Sequence, residues 1–112
     1  MSGLTIDFEK RDGWFNFHFS TTSALTADFC VQNPYCRSKE EWTALLNAIV
    51  NGTHYPLKFE GENFTYIETT GDGYVTFSTC EHKGLDVAIS VDLYEDENVI
   101  LDILNHILEN HF

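Results

Sequence analysis

Alternation of apolar and polar residues with a period of two dominates this chain and limits its fold more than any other feature. Between Trp14 and Phe19, the residues Phe15, Phe17 and Phe19 fall on one side, with Trp14, Asn16 and His18 on the other. Between Leu85 and Tyr94 the pattern is stricter: Leu85, Val87, Ile89, Val91 and Leu93 face one way, Asp86, Ala88, Ser90, Asp92 and Tyr94 the other. Successive side chains of a strand point to opposite faces, so each segment requires an apolar layer on one side and tolerates water on the other. An antiparallel sheet with one covered face meets that demand.

Leu4 to Glu9 alternates in the same way, and Asp12-Gly13 supplies the positive φ of a hairpin turn into the Trp14 strand. A third strand runs from about Ala24 to Val31, with Leu25, Ala27, Phe29 and Val31 toward the core. Gln32 to Arg37 reads as a loop. Ser38 followed by Glu41 forms a capping box, in which each side chain satisfies the other residue's orphan N–H. Trp42, Leu45, Leu46, Ile49 and Val50 then make one apolar stripe, and Asn51-Gly52 ends the helix with a left-handed cap. Four further strands follow: Tyr55 to Glu60, Phe64 to Thr70, Tyr74 to Glu81 and Leu85 to Tyr94. Their turns are Glu62-Asn63, Gly71-Asp72-Gly73 and His82-Lys83-Gly84, and Pro56 puts the first of these strands at an edge or a strand start. Glu95-Asp96-Glu97 opens a closing helix whose stripe is Val99, Ile100, Ile103, Leu104, Ile107 and Leu108.

The expected fold is α+β: one domain spanning 1–112, with a single antiparallel sheet of about seven strands. Element order is β-β-β-α-β-β-β-β-α, with two amphipathic helices on one face. Phe15, Phe17, Phe19, Val87, Ile89 and Val91 would lie beneath Trp42, Leu45, Ile103 and Leu104. The other face would carry Thr76, Ser78, Asp86, Ser90 and Asp92, with Trp14, His18, Tyr66 and Tyr74 among them.

Charge narrows the function. Eighteen acids against six bases give a formal net of −12, which argues against direct binding to nucleic acid or an anionic membrane. Residues 59–112 hold twelve acids and one base, Lys83, so −11 of that charge lies in the second half. The asymmetry points to one strongly negative surface. Three cysteines (30, 36 and 80), no apolar run of the length a membrane helix needs, and a start without a basic, apolar leader lead to the expectation of a cytoplasmic protein.

Catalytic and metal motifs do not stand out. Cys30 and Cys36 are separated by five residues, and Cys80-Glu81-His82 adds a thiol and an imidazole, but neither matches paired zinc-ligand spacing. Cys30 reads as a small buried hydrophobe within a strand. No nucleophile elbow or phosphate-cradling glycine loop occurs. A ligand- or metal-binding domain, or an enzyme, would have to draw on Cys36, His54, Cys80 and His82. A structural module pairing through a strand edge is a third possibility. Otherwise the expectation is a protein without enzymatic activity or cofactor, a monomer or weak dimer.

What remains is an acidic surface with aromatics in it: Glu68, Asp72, Tyr74, Asp86, Asp92, Tyr94, Glu95, Asp96 and Glu97. Tyrosines give large contact area at low entropic cost, and carboxylates steer a basic partner. The aromatic strand Trp14-Phe15-Asn16-Phe17, the Trp-led helix, the strand meander and the Leu/Ile-rich closing helix resemble WapI-type immunity proteins of bacterial polymorphic-toxin systems. That resemblance implies a soluble inhibitor that plugs a toxin's active site or substrate surface. Small phage anti-defence proteins, anti-CRISPR inhibitors and nucleic-acid mimics among them, share the size and acidity. Either way the expected partner is a basic, nucleic-acid-handling protein such as a nuclease toxin or a nucleic-acid-guided effector.

Overall fold

The computed structural model describes residues 3–11, 14–23, 25–32, 38–59, 64–80 and 86–112. The expected turns at Asp12-Gly13, Glu62-Asn63 and His82-Lys83-Gly84, and the loop carrying Cys36, lie outside these residues. The elements, in chain order, are β1 (Thr5–Arg11), β2 (Trp14–Ser20), β3 (Thr26–Gln32), α1 (Lys39–Asn51), β4 (His54–Phe59), β5 (Phe64–Thr70), β6 (Tyr74–Cys80), β7 (Asp86–Asp92) and α2 (Leu93–Asn110). The α+β class and the order of elements agree with the sequence.

The single seven-stranded sheet does not. The strands form two antiparallel sheets, one ordered β1-β2-β3 and the other β4-β5-β6-β7. The reason is aromatic. Phe77 of β6 meets Phe17, Phe19 and Phe29 of the first sheet at ring-centroid distances of 5.6, 5.0 and 5.3 Å. In one continuous sheet, β2 and β6 would be at least three strand spacings apart, about 14 Å. The inner faces therefore pack on each other there: Phe17, Phe19 and Phe29 find apolar cover in Phe77 of the other sheet, and Phe15 finds it in Trp42.

The helices complete the enclosure. Ser38 caps α1 as a full capping box, and Gly52 closes it in the left-handed region at φ 69°. Trp42 is fully buried and touches both sheets, with its ring 5.8 Å from Phe15 and 5.7 Å from Phe59. α1 packs on β4 and β5, α2 packs on β1 and β7, and the two helices touch each other. One buried cluster thus draws on both sheets and both helices. Each large apolar side chain in it contributes about 1.5–3 kcal/mol by leaving water.

Several local expectations change. β7 ends at Asp92, so Leu93 and Tyr94 belong to α2 rather than to the strand. Asp92 is the N-cap of α2: its side chain accepts from the Tyr94 N–H, which stops the ladder and starts the helix. Leu25 precedes β3 and is 71% exposed rather than buried. Cys30 lies opposite Asn16 on the outer face of the first sheet and is exposed, because β3 places Ala27 and Phe29, not Cys30, toward the core. Trp14 and His18 do not share a face with Tyr66 and Tyr74, since they sit on different sheets.

Candidate functional site

The acidic surface is assembled at one end of the second sheet. The turn from β5 to β6 carries Gly71 and Gly73 at φ 82° and 102°, conformations that side-chain-bearing residues rarely adopt. Between them, Asp72 accepts from the Thr70 hydroxyl. β6 leaves the turn at Tyr74, which pairs in register with Asp92 of β7. The chain then turns directly into α2, and the Leu93 N–H donates to the Gly73 carbonyl at 2.8 Å. That bond fixes the start of α2 against the turn. It brings Asp72, Tyr74, Asp92, Tyr94, Glu95, Asp96 and Glu97 to the same end of the sheet.

The carboxylates are at home there for an elementary reason. The first turn of a helix presents N–H groups and the positive end of its dipole, which favour negative charge by about 0.3–1 kcal/mol per group. Asp96 departs from helical geometry, with φ −119° and ψ 22°, so the opening turn is set at an angle to the rest of α2. Glu95 and Glu97 are exposed, as is Tyr74, and Tyr94 is 96% exposed. A tyrosine this bare contributes nothing to the core.

Two of the expected residues stand apart. Glu68 lies in mid-strand on β5, opposite Pro56 and Thr76, and accepts from His54 Nε2 at 2.7 Å. It flanks the cluster, already paired. Asp86 opens β7 opposite Cys80, at the far end of the strand from Asp92. Six residue steps along the strand separate the two, about 20 Å. Asp86 is therefore not part of the cluster. The strict alternation of β7 put Asp86 and Asp92 on one face, but a shared face does not make them neighbours.

The catalytic or metal alternative fares differently. Cys36 and His82 lie outside the described residues. His54 begins β4 at the turn end of the sheet, whereas Cys80 ends β6 at the other, so those two cannot share a ligand. Among the described residues, no group of three or more His, Cys, Asp or Glu is placed to hold a metal ion.

A second polar array on the first sheet was not anticipated. Asp7, His18 and Asp28 form one cross-strand row, and Glu9, Asn16 and Cys30 form the next. His18 Nδ1 donates to Asp28 Oδ1 at 2.7 Å, and Cys30 Sγ donates to Asn16 Oδ1 at 2.9 Å. Partial desolvation by its neighbours, and then the Asp28 charge, push the Cys30 thiol above its usual range although it is exposed, the opposite of what a nucleophile needs. Dividing the charge by sequence halves hid this row, because Lys10 and Arg11 offset it in the count. Strand register across the hairpin would have revealed it.

No family model matches the chain, and neither does any curated protein or solved structure. Nothing in these comparisons links it to WapI-type immunity proteins or to anti-CRISPR inhibitors.

Proposed function

We propose that this protein is a non-enzymatic inhibitor that uses the acidic end of its second sheet to occupy a basic, nucleic-acid-handling surface of a target enzyme. The observation that carries the reading is the Leu93 to Gly73 hydrogen bond, which holds the acidic opening of α2 beside the turn bearing Asp72 and Tyr74. Carboxylates there stand in for phosphates, and Tyr74 and Tyr94 supply apolar anchors that lose water on contact. The net charge of −12 makes the protein a competitor of nucleic acid rather than its ligand. A nuclease toxin neutralised by its immunity protein, or a nucleic-acid-guided defence effector, has the required basic groove.

The test is a competition assay against purified nucleases and guided effectors, with the labelled nucleic acid substrate displaced by increasing inhibitor. The reading expects displacement from at least one enzyme, overcome by excess substrate and weakened steeply by salt. Inhibition that excess substrate does not relieve would contradict it. So would direct binding of the protein to the nucleic acid.

A further inference from the structure

The two sheets do not join, and the place where they fail to join is a cleft. β3 and β7 are outer strands of their respective sheets. Between them lies a cavity of about 320 Å³, within the range that accommodates a ligand or a short peptide segment. Its apolar wall comes from Leu4, Phe19, Leu25, Ala27, Ile89 and Val91. Of these, Phe19 is buried, whereas Leu25 is 71% exposed.

Residues of both parities line the cleft: Thr26 and Ala27 at β3, and Ile89, Ser90 and Val91 at β7. A pocket over one face of a sheet is lined by alternate residues only. Consecutive residues at the lining mean that the opening runs along the strand edges. An occupant there meets backbone as well as side chains, which is how an extended peptide is recognised. The four lining residues of β7, 89 to 92, span about 13 Å, the length of about four residues of extended peptide.

Asp92, Glu95 and Asp96 also line the cleft, and among the described residues no lysine or arginine does. Glu95 and Asp92 put carboxylates at the α2 end of the apolar lining, so the occupant that fits is apolar along its length with a cation toward the start of α2. We infer that the cleft between β3 and β7 takes an extended segment of a protein partner bearing alternate aliphatic side chains and one or two lysines or arginines. This rests on the reading of the partner as a basic protein, and adds where and in what conformation that partner is gripped.

The probe is a synthetic seven-residue peptide alternating valine and threonine and ending in two lysines. Its controls are the same peptide ending in two glutamates, and n-butylamine as a free cation. Amide shifts of the isotope-labelled protein are followed by NMR. Binding of the lysine peptide should shift amides of residues 25–27 and 89–96, the glutamate peptide should produce no shifts, and n-butylamine should bind at least tenfold more weakly. Leu25→Asn removes an exposed apolar side chain without adding charge and leaves the protein folded. It should weaken the lysine peptide by about tenfold, the equivalent of about 1.4 kcal/mol. No binding, shifts spread over all the acidic surfaces, equal binding of n-butylamine, or indifference to Leu25→Asn would each overturn the inference. Asp72→Lys with Glu97→Lys lies outside the cleft lining and tests the inhibitory surface separately, so either reading can fail alone.

Discussion

Replacing Phe19 and Phe77 by leucine, singly and together, measures whether the two sheets pack face to face. Their rings meet at 5.0 Å between centroids and 70° between planes, an edge-to-face pair linking β2 to β6. Truncating a buried phenylalanine to alanine costs about 3–5 kcal/mol, and leucine, which keeps much of the volume, should cost about 1–2 kcal/mol at each site. A chain of 112 residues has a total stability of order 10 kcal/mol, so the double variant stays folded and measurable. The informative quantity is the coupling. An aromatic pair contributes about 0.5–1.5 kcal/mol beyond area burial, so the double variant should be less destabilised than the sum of the singles by about that amount. Urea unfolding monitored by tryptophan fluorescence and by circular dichroism gives all four free energies. In a single continuous sheet, β2 and β6 would be about 14 Å apart and the effects would add to within about 0.3–0.5 kcal/mol. Additivity at that level would refute the face-to-face arrangement.

Three other outcomes follow from local features. Ser38→Ala removes one half of the α1 capping box and should cost about 1 kcal/mol in urea unfolding, with Ser38→Gly costing only a few tenths. Gly73→Val forces a β-branched residue to φ 102°, strains the turn that holds α2 and should cost about 1–3 kcal/mol, with the Leu93 amide losing hydrogen-exchange protection. His111 packs on Phe8, Phe15 and His106, and burial, then Lys10, then His106 hold its pKa below the ordinary 6.5. Folding therefore favours the neutral ring. The contribution of His111 is complete above pH 6.5 and is lost as the pH falls through its lower folded value, so His111→Leu should flatten the stability profile in that window. An NMR titration midpoint for His111 at or above 6.5 would contradict the packing.

Alternation and capping are local properties, and they made nearly every element readable. The phenylalanines at 15, 17 and 19 named the buried face of β2, and Ser38, Glu41 and Gly52 marked both ends of α1. The pairing of the meanders is not local. Phe77 against Phe19 and a single flat sheet satisfy the same period-two pattern, so the sequence could not distinguish them. Parity also failed where a strand starts late: β3 begins at Thr26, which leaves Leu25 outside the strand and exposed. The candidate site was legible to the extent that its residues are close in sequence. Asp92 to Glu97 are joined by a strand end and a helix start, and the turn brings Asp72 and Tyr74 to them. Asp86 was grouped by face and belongs to the opposite end. The Asp7, His18 and Asp28 row was missed because it arises from register across three strands.

The central claim is that the acidic end of the second sheet performs the inhibition. Asp72→Lys, Glu95→Lys and Glu97→Lys combined move the charge of that end by six units through exposed side chains. The decisive measurement is the inhibition constant of this variant against an enzyme that the native protein displaces from nucleic acid, at physiological salt and beside a control reversing Asp102 and Glu109 on α2. The account predicts a loss of at least a hundredfold for the triple variant, with the fold retained at a stability lower by about 1–3 kcal/mol from the helix dipole, and little change in the control. Equal inhibition by the triple variant and the native protein would contradict it.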